Sequence, residues 1–255
     1  MQLQLEPSAM RAPSSFRGAE VMKSNGDRLA AALYRLAAAR EPEPVFASDH
    51  AEPALADSQV CARMANRLAD LIDDVKGVWV ERDERRQLLT LMVSQGGNGG
   101  FPASSLSDGT LRFLALALIE QDPEYGGVIC LEEPENGLHP SRIPSMLELL
   151  YSIAVDPEEA ISEENVNRQI IFNTHSPSVV QNVAAQDLVV ADRRGTGLKV
   201  NGLTGTWRGR LAERSIPLGL LSSYLDPVYR SGPGVDEKEL VHGQQQLKLS
   251  FDPTT

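Results

Sequence analysis

The chain has 255 residues, 42% of them hydrophobic, a net charge of −11 and two cysteines, Cys61 and Cys130. That length allows a full core in one domain, or one large domain with appendages, and two cysteines, the second inside an apolar run, exclude a disulfide framework or a cysteine metal site. No stretch approaches the ~20 apolar residues of a membrane span, and Met1 to Pro7 lacks the basic and apolar regions of a signal peptide, so the sequence reads as cytoplasmic.

In chain order, Leu3 and Leu5 alternate with glutamines before Pro7, predicting a strand at the very start. Residues 26–39 and 57–75 carry apolar residues at three- and four-residue spacings and predict helices, joined by the Pro- and Glu-containing stretch 41–56. Val78-Trp-Val80 and Gln87 to Val93 predict a strand pair, and Gly96 to Gly100 a loop. From there to Asp192 the pattern is helix, strand, helix, strand, helix, strand, which implies an α/β fold with a parallel sheet and right-handed crossovers. Beyond Gly195 the pattern weakens, and Ser231 to Thr255 reads as a loose tail.

The charge is local. Residues 120–164 carry twelve acids against Arg142 alone, which equals the whole net charge and disfavours a phosphate backbone on that face. Residues 192–214 hold six basic residues, Arg193, Arg194, Lys199, Arg208, Arg210 and Arg214, the only local hint of nucleic acid; a solvated face is the plainer explanation.

Three short motifs fall where helices or strands should begin or end. Ser107-Asp-Gly-Thr110 precedes the apolar helix Leu111 to Ile119, whose first-turn N–H groups and dipole favour an anion; an ordinary cap by Ser107 or Asp108 explains it equally. Val128 to Leu131 is a short apolar run that delivers Glu132 and Glu133 at the strand's carboxyl end, where open α/β sheets place ligands. Successive strand residues point to opposite sides, so the two glutamates should have different jobs: one for a hydrated Mg²⁺, the other for the attacking water. Asn136-Gly137 then turns the chain toward His139. Gln169 to Phe172 is a strand whose exit, Asn173-Thr-His-Ser-Pro177, should set His175 beside Glu133, where an imidazole can reach a γ-phosphate or its attacking water; taken alone, a histidine at a helix start is more often structural.

This ordered set resembles the ATPase heads of the ABC type, specifically the predicted AAA-family ATPases related to the RecF, SMC and overcoming-lysogenisation heads. Leu106 to Thr110 resembles the signature, Val128 to Glu133 the Walker B strand, Asn136 to His139 the D-loop and His175 the switch histidine; Gln4 to Ser15 with Leu29 to Leu36 is similar to the middle of such proteins, so the likeness spans residues 3–205. It implies a P-loop NTPase sheet with flanking helices, ATP and Mg²⁺ as cofactors, and a second head as partner, coupled to DNA or an effector. It further implies that Ser107, Asp108, Gly109 and Thr110, with Asn136 and His139, face ATP, that Glu132 serves Mg²⁺, Glu133 activates water and His175 senses the γ-phosphate. On this resemblance residues 1–95 are a remnant of the amino-terminal lobe with a helical and hairpin insertion, 96–205 the ATPase core, and 206–255 an extension ending in the tail.

Two departures stand out. Glu132 occupies a position where many such heads carry Asp, a minor change. The serious one is that the sequence contains no G-x-x-x-x-G-K-[ST] phosphate loop: its lysines are Lys23, Lys76, Lys199, Lys238 and Lys248, and none follows a glycine. A signature can act across a dimer interface, whereas the family's Walker B glutamate works with the loop of its own subunit. The expectation is therefore the carboxyl part of a longer ATPase, inactive alone, paired as a homodimer or with a partner supplying the loop. A non-catalytic interaction module that keeps the fold is the alternative. A metal-dependent phosphoesterase using Glu132, Glu133, Glu135 and His175 is the third, with Asp192 the sole candidate for a further acid on a neighbouring strand.

Overall fold

Residues 111–119 are apolar at every position but Arg112, and a helix that is apolar all round belongs in a core. The computed structural model, which describes residues 1–17, 21–40, 58–96, 99–184, 186–194 and 197–202, buries this segment within helix α4 (Asp108–Gln121). Leu111, Leu114 and Leu118 are wholly buried. The chain divides into two units, residues 1–184 and 185–255.

In the first unit α4 packs with α1 (Pro7–Arg11), α2 (Leu29–Arg40), α3 (Gln59–Leu71) and α5 (Ile143–Ile153). One sheet is parallel, in the order β1 (Gln2–Leu3), β6 (Gly127–Glu132), β7 (Arg168–Asn173). The second is antiparallel: β2 (Ser14–Ser15), β4 (Leu88–Gln95) and β3 (Val75–Asp83) in that order, with β5 (Phe101–Pro102) also on β4. Helix α6 (Pro177–Asn182) follows β7. The parallel sheet buries Ile129 and Leu131 on one face, while Val128 is 43% and Ile171 51% exposed on the other. Parallel sheets normally have both faces covered. Among the described residues, the apolar run over 128–131, read as the middle of such a sheet, is buried at Ile129 and Leu131 but half-buried at Cys130 and exposed at Val128.

A buried cation ties this sheet to the central helix. Arg168, at the start of β7, donates from Nε to Tyr125 O (2.5 Å), from Nη2 to Asp122 O (2.6 Å) and from Nη1 to Glu120 O (3.3 Å), binding carbonyls at and just past the end of α4. Asp122 is itself fully buried and paired with Arg35; burial holds its carboxyl above the usual range.

The second unit corrects one expectation. β8 (Val189–Arg194) does not extend the parallel sheet; it pairs antiparallel with β9 (Gly197–Gly202) in a sheet of their own, with Arg194 opposite Gly197. A partner a few residues downstream needs no crossover, whereas a parallel neighbour does. Residues 206–255, including the tail, and Arg208, Arg210 and Arg214 lie outside the described residues.

Candidate functional site

Ser107 is the N-cap of α4. Its Oγ accepts the Thr110 N–H at 3.2 Å and lies 2.7 Å from Thr110 Oγ1. The capping reading of this motif is therefore realised, on a serine that remains exposed. Asp108 Oδ1 accepts from Arg11 Nη2 at 2.6 Å, and the same nitrogen donates to Leu106 O at 2.9 Å. Arg11 thus fixes the approach to the helix from 97 residues away, and no local pattern announced it.

Gly109 is buried because the next motif presses on it. A Cβ there would stand 2.5 Å from Gly137 O and 2.7 Å from Leu138 Cδ2. Gly137 in turn has φ +87°, a left-handed conformation that favours glycine. The Ser107 motif and the Asn136–Gly137 turn are therefore packed backbone to backbone, and Arg112 Nη1 holds the turn by donating to Asn136 O at 2.7 Å. Gly109→Ala is expected to destabilise by about 1–3 kcal/mol, since the obstructing atom is backbone; a shift of the urea midpoint checks it.

At the carboxyl end of β6, Glu132 pairs in register with Asn173 and is exposed. Glu133 has already left the strand: its φ is +42°, rare for a residue with a side chain, and its N–H donates to Asn173 Oδ1 (3.0 Å) and O (3.3 Å). The expected separation of the two glutamates thus involves a backbone turn as well as strand alternation. Both line a cleft of about 390 Å³ with Gln4, Glu6, Arg112 and Asn136. His175, exposed after β7, has Nε2 4.0 Å from Glu133 Oε1, so the two strand exits do bring these groups together.

His139 is occupied otherwise: its Nδ1 caps the short turn Pro140–Arg142, accepting from Ser141 N at 3.3 Å and lying 2.8 Å from Ser141 Oγ. Among the described residues no group of three or more His, Cys, Asp or Glu could hold a metal ion. The exposed Glu132 at the cleft fits the other mode, in which Mg²⁺ keeps its waters and takes one or two carboxylates beside phosphate oxygens.

Residues 4–181 match the family model described as "AAA domain, putative AbiEii toxin, Type IV TA system". The chain belongs to this AAA family. It is an ATPase-type domain, as the order of its motifs implied. No curated protein matches it. Among solved structures, an SMC ATPase from work on ATP-driven dimerization and DNA-stimulated activation is 13% identical (TM-score 0.44, covering 69% of this chain and 93% of that one). The Smc head domain of Pyrococcus yayanosii, with coiled coil and joint, is 12% identical (TM-score 0.41; 61% and 29% covered). That of Pyrococcus furiosus, bound to the C-terminal domain of ScpA, is also 12% identical (TM-score 0.43; 61% and 37%). This AAA-family chain thus spans well under half of either Pyrococcus chain. Arg11, Arg112, Thr174 and the burial of Glu135 are the features of its site that sequence spacing missed.

Proposed function

We propose that the chain is the catalytic lobe of an ABC-type ATPase head that hydrolyses ATP at a head-to-tail interface once a phosphate loop is supplied from outside these 255 residues. The observation that carries this reading is the meeting of Glu133 and His175 at 4.0 Å beside a cleft that also holds Glu132. In it Glu132 serves hydrated Mg²⁺, Glu133 polarises the attacking water and His175 addresses the γ-phosphate. Ser107 and Asp108, exposed at the amino end of α4, face ATP held by the opposite head, with Asn136 and His139 beside them, whereas Gly109 and Thr110, expected to join them, are buried and shape that end from beneath. Mg²⁺ and ATP would supply the charge-bearing phosphate chemistry, and dimerisation would carry the signal to DNA or to an effector.

The packing of Gly109 against Gly137 supports the coupling, because it gives the interface motif and the turn after Glu133 one shared backbone contact. One observation favours the non-catalytic module instead: the Ser107 hydroxyl is already engaged as a cap. The phosphoesterase reading has lost its fourth acid from the sheet, since Asp192 lies on β8, paired with β9. Mixing the chain with a head half bearing a G-x-x-x-x-G-K-[ST] loop tests the proposal. Mg-ATP-dependent co-elution and turnover are expected; no nucleotide-dependent association points to the module.

A further inference from the structure

One buried ionisable group near the cleft has no part in those roles. Glu135 is only 9% exposed; its Oε1 accepts the hydroxyl proton of Thr174, and its Oε2 is buried with no hydrogen-bond partner among the described residues. Burying a carboxyl with one oxygen idle is costly, and an apolar side chain would fill the space without that cost.

The bonds around it show what the carboxyl holds. Thr174 spends its proton on Glu135 and accepts the Ser176 N–H at 2.9 Å, which fixes the turn leading into α6. One residue earlier, Asn173 receives the Glu133 N–H on both its backbone and side-chain oxygens. The exits of β6 and β7 are therefore tied twice, at 133–173 and 135–174. Between and beyond these ties stand Glu133 and His175, with Nε2 and Oε1 4.0 Å apart. His175 itself is largely exposed, so its place depends on the backbone that carries it.

We propose that Glu135 is a positioning residue: it clasps Thr174 and thereby sets His175 against Glu133. Its purpose rests on the ATPase reading above, but the clasp can be tested without hydrolysis, so a failure of either is distinguishable from a failure of the other. Amide hydrogen exchange by NMR on the full chain is the readout. Glu135→Ala and Thr174→Val are each expected to lower protection of the Glu133 amide at least about tenfold and to loosen the Ser176 amide, whose acceptor is Thr174 Oγ1, with the α4 amides unchanged. Glu135→Gln keeps a carbonyl for the Thr174 hydroxyl and should stay within about threefold of the parent. Should Glu135→Ala fail to fold, Thr174→Val decides alone. Unchanged Glu133 protection in the folded variants, a loss shared with α4, or a Gln variant as exposed as the Ala variant would overturn the assignment.

Discussion

Arg168→Ala is expected to cost about 3–5 kcal/mol of folding stability, a large share of the roughly 5–15 kcal/mol a domain possesses. Arg168 is 4% exposed and its guanidinium serves three carbonyls, those of Glu120, Asp122 and Tyr125. Alanine leaves all three without that donor and opens a cavity at the joint between β7 and the end of α4. It also removes a positive charge from beside Asp122, whose buried carboxyl is then balanced by Arg35. Lysine cannot rescue the site fully, because one ammonium on a flexible stem does not reproduce the planar fork. Urea denaturation measures the change; a loss under about 1 kcal/mol, the worth of a single ordinary hydrogen bond, would mean that Arg168 is not the fastening described.

Glu133→Gln is expected to lower ATP turnover of the loop-supplied assembly by about 10²–10⁴-fold, the usual contribution of a positioned general base. The amide keeps the side chain's size, and the backbone hydrogen bonds to Asn173 do not involve it, so the turn at φ +42° should survive. Nucleotide-dependent association should therefore persist while turnover falls. Steady-state phosphate release alongside co-elution separates the two effects. Turnover within about twofold of the parent would remove Glu133 from the role of base.

What the sequence disclosed follows from where its patterns are local. Helix α4 was legible because an unbroken apolar run follows a serine that can cap it, and the hairpin of β3 and β4 because alternating residues flank a turn. The strand delivering Glu132 was legible for the same reason, and its exit opposite Asn173 followed from the parallel register. The left-handed turn at Glu133 was not, since it comes from hydrogen bonds to a residue 40 positions away. Arg112 bonds Leu5 O at 3.4 Å across 107 positions, a distance over which no periodicity speaks. β8 misled because a strand's own residues do not reveal its partner, and the nearer antiparallel one prevailed. Glu135 reads like any acid of a charged turn; only the fold places Thr174 beside it and closes off water.

The most direct measurement is steady-state ATP hydrolysis by this chain alone, compared with its Glu133→Gln variant. The proposal predicts that the two are indistinguishable, because Glu133 and His175 have no phosphate loop to work with. Turnover by the parent that Glu133→Gln abolishes would contradict it.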